Sequence, residues 1–323
     1  MRRLLHRLVV MSACMSALDH GHWWSSTGMR RATKDAARRA TTEAAAVVAP
    51  ARIVPVTEWS RIVAFGDIHG DMAALKTCLR IAGVIDRESD LWIAEAGTLL
   101  VSCGDVLDVG RDDWKCLKFL RKLKDQARDQ GGDVSLVLGN HEILNILGDL
   151  RFANPLAAYD VLEDLRRHGS FHSGVTNATL ARAKAFKPGG RGARMIADLC
   201  GPSPVVLVVG DVAFCHGGLV AKALDVDGFR GSAPSKLKQL NALAADWLSG
   251  TAKRIPAALV PSAVSPVWNR AYSQPAGAEP QTHVCDAART ALQALECTRM
   301  VIGHTPQISA GVNAACCGAV YRE

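Results

Sequence analysis

Five short glycine-flanked polar motifs recur along this sequence, each at the carboxyl end of an apolar run, and that placement constrains the fold more than any other feature. IVAF (62–65) runs into GDIHGD, LLVS (99–102) into GDVLDVG, VSLVL (134–138) into GNHE, VAFC (212–215) into HGGL and MVI (300–302) into GHTPQ. Short β-branched and apolar runs that end in turn residues read as strands. Between the first three, DMAALKTCLRIAG and RDDWKCLKFLRKLKDQARDQ carry helical spacing, with Trp114, Leu117, Leu120 and Leu123 on one face. The order is that of two successive βαβ crossovers, hence an α/β fold, and in open α/β sheets ligands bind beyond the carboxyl ends of the strands. VVLVV (205–209), a Gly210-Asp211 turn and VAFC form a predicted hairpin that delivers HGGL. Residues 149–200 show helical patches at 155–167 and 193–200, with a KPGGRG break at 187–192. They are expected to pack as an insertion beside the face that carries the motifs.

The charge balance removes one class of partner. The net charge of +7 is concentrated in residues 1–60, which hold nine Lys/Arg against four acids, so the body that follows is nearly neutral. A body without a basic face lacks the footprint that a phosphate backbone needs, and nucleic acid is not an expected partner. Residues 1–58 are expected to be a targeting or disordered tail ahead of one domain over 59–323. The tail favours Arg over Lys and is rich in Ser, Thr and Ala. On a helix it would gather Arg2, Arg3, His6 and Arg7 on one arc and Leu4, Leu5, Leu8, Val9 and Met11 on the other. That pattern suits a presequence for import into a mitochondrion or plastid; a secretory route, from the apolar stretch Leu8 to Leu18, and a cytoplasmic location are the alternatives. No run of about 18 apolar residues occurs, so no membrane span is expected. The ten cysteines show no CxxC pair and no regular spacing. They read as buried thiols in a reducing compartment, with neither a disulfide framework nor a thiolate zinc site.

The polar residues at the five strand ends are of one chemical kind. Asp67 and His69 in GDIHG, Asp105 in GDVLD, Asn140 in GNHE, His216 in HGG and His304 in GHTP supply hard carboxylate and amide oxygens together with imidazoles. Such a set suits a pair of divalent cations that share one carboxylate. Two ions about 3.5–4 Å apart activate a water and neutralise phosphoryl oxygens, which is what hydrolysis of a phosphate ester needs. The adjacent glycines leave room for backbone to approach a metal or phosphate. Any one motif is an ordinary turn, and the metal reading rests on their conjunction.

In this order GDIHGD, GDVLDVG, GNHE, HGGL and GHTPQ resemble the signature of the calcineurin-like metallophosphoesterases and, within them, the phosphoprotein phosphatase family. LGDLRF after GNHE, PVWNRAY, and GVNAACCG after GHTPQ are most similar to the Shewanella-like protein phosphatases, and the likeness spans roughly 61–321. The resemblance implies a four-layer α/β/β/α sandwich of two mixed β-sheets with the site at their shared edge. It implies that Asp67, His69 and Asp105 hold one metal and that Asp105, Asn140, His216 and His304 hold the second, with Asp105 bridging. Manganese, or iron with zinc, is the expected pair. It also implies that His141 protonates the leaving oxygen, that Asp108 orients its imidazole, and that Arg270 in VWNR grips the phosphate, a task suited to a planar guanidinium. There are two departures. Val109 stands where the family has an arginine that contacts phosphate, and Arg111, two residues on, is read as a surface residue. The family continues past the VYR run whereas this sequence stops at Glu323, so a short terminal sheet is expected.

The activity expected on these grounds is metal-dependent hydrolysis of phosphoserine, phosphothreonine or phosphotyrosine in a protein substrate. One alternative is hydrolysis of diadenosine polyphosphates, by a related type that usually lacks the counterpart of Asp108. Another is a weakly active or inactive metal-binding interaction protein, which Val109 would favour. Residues 149–200 and 221–266 carry no readable code for a substrate or a regulatory partner.

Overall fold

The computed structural model describes residues 7–11, 59–168 and 177–323. Nine strands form two sheets among them. The first runs β1 (Arg7–Met11), β2 (Arg61–Phe65), β3 (Thr98–Ser102) and β4 (Asp133–Leu136) side by side in that order, every pair parallel. The second contains β5 (Leu207–Val209), β6 (Val212–Phe214), β7 (Arg299–Ile302), β8 (Asn313–Ala315) and β9 (Val320–Arg322), in the order β5-β6-β7-β9-β8. Its inner pairs are parallel, while β5–β6 and β8–β9 are antiparallel.

Parallel neighbours need crossovers, and α1 (Met72–Ile81) and α2 (Asp113–Asp129) supply them between β2, β3 and β4. Asp71 starts α1 by accepting a hydrogen bond from Ala74 N at 2.8 Å. Trp114, Leu117, Leu120 and Leu123 are buried along one face of α2, as their spacing predicts. Helices α3 (Asn140–Ile146), α4 (Pro155–Arg167), α5 (Ala178–Phe186) and α6 (Arg191–Cys200) lie between the sheets in sequence; α7 (Ala233–Ser249) and α8 (Thr282–Ala294) precede β7.

Alternate residues of a strand point to opposite sides, and here both sides are apolar. Ile62 and Ala64 of β2 and Leu99 and Val101 of β3 meet Leu207, Val209, Val212, Phe214 and Val301 of the second sheet. Val63, Phe65, Leu100, Val134 and Leu136 pack instead with the helices, as do Ala213, Met300, Ile302 and Val320. The product is the four-layer α/β/β/α sandwich. Burial on both faces is why these strands read as unbroken apolar runs.

Three expectations change in detail. The second sheet is mixed, but the first is parallel throughout among the described residues, because its connections are crossovers and not hairpins. Arg7–Met11, expected on a helix, is instead a strand paired with β2. Leu8 and Val10 pack toward the inter-sheet core and Val9 and Met11 toward the outer one, so the run obeys a period of two once an open strand edge is available. The rest of the tail, with its import reading, lies outside the described residues. The cysteines are not all free thiols: Cys285 on α8 and Cys316 between β8 and β9 form a disulfide with a Cα–Cα distance of 5.1 Å and a sequence separation of 31. Packing of α8 against that turn brings them together, and no local spacing announces it. Six of the other described cysteines are buried, and Cys317 is exposed. No helix among the described residues is long and apolar enough to cross a membrane.

The disulfide constrains the unfolded chain, so reduction with dithiothreitol should lower the thermal midpoint by the equivalent of about 3 kcal/mol. Cys285→Ser should already sit at the lowered midpoint and not respond to the reductant. Equal midpoints of the wild type with and without dithiothreitol would show that the two thiols are not joined.

Candidate active site

Strands β2, β3 and β4 of one sheet and β6 and β7 of the other end at a common edge, and their loops bond across it. His304 N donates to Asp67 Oδ1 at 3.1 Å, and His216 Nδ1 donates to the Cys103 carbonyl at 2.8 Å. Two glycines make the approach feasible. A Cβ at Gly139 would collide with Asp105 Oδ1, and one at Gly303 with Asp67 Oδ1. His69, Asp105, Asp108, Val109 and His304 all adopt positive φ. Side chains seldom tolerate that region, and such residues gather where the surroundings over-determine the backbone.

Asp105 Oδ2 is the centre of the arrangement, 3.2 Å from His216 Nε2 and 3.7 Å from His69 Nε2. His216 Nε2 also lies 3.0 Å from Asn140 Oδ1 and 3.0 Å from His304 Nδ1. His69 Nδ1 donates to the Leu107 carbonyl at 3.0 Å, as His216 Nδ1 does to Cys103, which fixes both tautomers. The remaining ring nitrogens are then lone pairs aimed at carboxylate and amide oxygens. Lone pairs so placed repel unless a proton or a metal ion stands between them, and this donor set suits either. The Asn140 Nδ2 amide has no hydrogen-bond partner among the described residues, consistent with a carboxamide held by what its oxygen faces. Donor atoms of His69, Asp105 and His141, and of Asp105, His216 and His304, converge within 4.8 Å in two groups that share Asp105. Asp67 stands beside both, with Oδ1 3.7 Å from His216 Nδ1. The residues therefore fit a dinuclear centre. A further cluster, Glu279 with Cys285 and Cys316, has its sulfurs joined to each other and does not.

The electrostatics follow from the crowding. Burial pushes the Asp105 carboxyl up, but His216, His141 and His69 outweigh it and hold it well below the usual carboxylate range. Burial also raises Asp67, with Asp105 adding to the effect against the pull of His216. Burial drives His216 down, and Asp105 with Asp67 overcomes this to hold it at about 9. His304 is forced far down by burial and by the charges of His216 and Arg270.

His141 is placed differently from the other imidazoles. Its Nδ1 hydrogen-bonds Asp108 Oδ2 at 2.8 Å, its backbone N donates to Asp105 Oδ1 at 2.9 Å, and its Nε2 stands 4.0 Å from Asp105 Oδ2. Burial lowers its pKa, while Asp105 and the bond to Asp108 raise it, to about 9. Arg270 Nη1 donates to the His304 carbonyl at 2.6 Å and to Thr305 Oγ1 at 2.8 Å, so its guanidinium lies against the GHTP loop. Arg111 is exposed. Val109, at φ 61°, is pinned by its N–H to the Phe152 carbonyl and by Asn154 Nδ2 to its own carbonyl. The insertion expected beside the motif face begins here, with the Phe152 ring 5.3 Å from that of His141.

Glu142, the last residue of GNHE, has a role that the motif does not announce. Its Oε2 accepts from Asp105 N and Gly139 N at 2.8 and 2.9 Å, and its Oε1 from Val106 N and Leu107 N at 2.9 and 3.1 Å. One carboxylate thus ties the β3 loop to the β4 loop. Asn145 and Arg182 lie behind Asp108, and no short-range pattern marks them.

An edge shared by two sheets and lined with carboxylates and imidazoles that call for cations defines a metal-dependent hydrolase of phosphoric esters. The family model for calcineurin-like phosphoesterases matches residues 60–307. Shewanella-like protein phosphatase 2 of Arabidopsis thaliana is 32% identical over 287 residues, covering 79% of this chain and 68% of the relative. Shewanella-like protein phosphatase 1 of Plasmodium berghei is 42% identical over 99 residues, 30% of this chain and 27% of that protein. A cold-active protein-tyrosine phosphatase of a psychrophilic Shewanella species superposes with a TM-score of 0.59 at 25% identity, over 81% of this chain and 70% of that one. The chain belongs to the calcineurin-like phosphoesterases and, on the extent of the Arabidopsis match, to their Shewanella-like phosphatase branch. Members of this family work with a dinuclear metal centre.

Metal binding should release a proton. His216, held at about 9 without metal, carries its proton at neutral pH and must lose it to become a ligand, whereas His304 is already neutral. Titration calorimetry with Mn²⁺ near neutral pH, in two buffers of different ionisation enthalpy, should show about one proton released per chain. Apparent affinity should rise as pH climbs toward that value and level beyond it. Buffer-independent heats would show that His216 does not take part.

Proposed function

We propose that this chain is a metal-dependent protein phosphatase that hydrolyses phosphoserine, phosphothreonine or phosphotyrosine. The observation that carries the reading is the His141–Asp108 pair at 2.8 Å, set beside the shared Asp105. In the proposal Asp67, His69 and Asp105 hold one divalent ion and Asp105, Asn140, His216 and His304 the other, manganese or iron with zinc. When bound, the pair polarises a water and neutralises charge on the phosphoryl group. Asp108 accepts the His141 Nδ1–H, which leaves Nε2 to deliver a proton to the departing serine, threonine or tyrosine oxygen. Arg270, whose Nη1 is steadied by the His304 carbonyl and Thr305, grips the phosphate in this reading, a task suited to a planar guanidinium. The likeness to named protein phosphatases supports a phosphoprotein substrate, and the Asp108 pairing disfavours the diadenosine polyphosphate alternative.

With Mn²⁺ present, the purified protein should cleave members of a phosphopeptide panel and leave diadenosine tetraphosphate intact; cleavage of the nucleotide alone would overturn the assignment. Asp105→Asn should reduce turnover of p-nitrophenyl phosphate, and His141→Asn that of phenyl phosphate, by about a hundredfold or more. Unchanged turnover in either would remove that residue from the site.

Val109 favours a slower enzyme than one with a second guanidinium at that position. Val109→Arg should raise kcat/KM for p-nitrophenyl phosphate by roughly tenfold or more, since one added donor to a developing phosphoryl charge is worth a few kcal/mol. An unchanged value would mean that the phosphate needs no contact there.

A further inference from the structure

Behind the His141–Asp108 pair lies a buried charge network. Arg182, on α5, is fully buried, with its guanidinium 5.0 Å over the Phe186 ring. Its Nη2 donates to Asp108 Oδ1 at 3.2 Å and to Asp113 Oδ2 at 2.6 Å, and its Nη1 to Asp113 Oδ1 at 3.2 Å. Its Nε donates to Asn145 Oδ1 at 2.8 Å. Asn145 Nδ2 in turn donates to Asp108 Oδ1 at 2.8 Å and to the His141 carbonyl at 2.9 Å. Asp113 Oδ2 accepts from Asp108 N at 3.1 Å. Asp108, Asp113, Asn145 and Arg182 are all shielded from solvent. One oxygen of Asp108 is therefore gripped from behind by Arg182 and Asn145, and the other is left to face His141 Nδ1.

A carboxylate held by a single bond to an imidazole could rotate about its Cβ–Cγ axis and let the ring turn. The guanidinium fork prevents this, because it anchors on Asp113 through two bonds and reaches Asp108 with a nitrogen whose direction is then fixed. We propose that Arg182 is a positioning residue for the leaving-group acid: through Asp108 it fixes the ring plane of His141 and the direction of Nε2, without touching substrate or metal. This rests on the reading of His141 given above.

Leaving groups that depart without help need no acid, whereas basic ones do. The test compares Arg182→Lys with wild type on dinitrophenyl phosphate and phenyl phosphate in the Mn²⁺-loaded protein. The lysine keeps the charge and loses the fork. Turnover of phenyl phosphate should fall by about a hundredfold, that of dinitrophenyl phosphate by only a few-fold, with KM and bound metal unchanged. His141→Asn should show the same dependence, and the double variant should be no worse than His141→Asn alone. Should Arg182→Lys fail to fold, Asp113→Asn, which takes the charged anchor from the guanidinium fork, is expected to show the same dependence. An equal loss on both substrates, or losses that multiply in the double variant, would overturn the role of Arg182. If His141→Asn itself showed no dependence on the leaving group, the acid assignment would fall, and the Arg182 proposal with it.

Discussion

The crowding of electron pairs around Asp105 Oδ2 is the constraint on which the rest of the structure depends. Five loops from two sheets deliver oxygens and imidazole nitrogens to within 3.0–3.7 Å of one another. Desolvated groups of like polarity are costly to hold together unless a cation joins them. The same atom group is anchored from behind, since Asp105 N binds Glu142 and its Oδ1 receives His141 N. Glu142 accepts four backbone N–H groups, and it can do so because only three residues separate the end of β4 from the start of α3. The sandwich is thus a device for bringing five strand ends to one edge with their loops in unfavourable conformations that mutual hydrogen bonds sustain.

What could be read from the sequence divides along sequence distance. Strand ends, the α2 face and the six donor residues announce themselves within a few residues, because a strand, its turn glycine and its polar side chain form one local unit. The disulfide, the β1 pairing and Arg182 do not. Arg182 reaches partners 37, 69 and 74 residues away. Its own helix, ATLARAKAF, has no strong amphipathic pattern to show which face is buried. Arg7–Met11 was ambiguous for a related reason: LVVM fits either period, and the open edge of β2 decides between them. The tertiary environment, not the local pattern, selected each of these.

Val109 shows how a departure from a motif is absorbed. A β-branched residue at φ 61° would relax to extended backbone in isolation. Here its N–H is taken by the Phe152 carbonyl and its carbonyl by Asn154, so the segment after α3 supplies the restraint. The turn that carries Asp108 is therefore held through backbone atoms of residue 109 and not through its side chain. A change of side chain at 109 and the His141–Asp108 bond are separable for this reason.

The buried network behind Asp108 also shows why its charges are retained. An isolated ion pair in the interior seldom adds to stability, since desolvation offsets most of the attraction. Asp108, Asp113 and Arg182 leave one negative charge in excess, and a protonated His141 cancels it. Asp105, 4.0 Å from Nε2, and Asp108, bonded to Nδ1, both favour the protonated imidazole. Arg182 offsets only one of the two carboxylates it joins, so the buried cluster stays negative on the side that faces the ring.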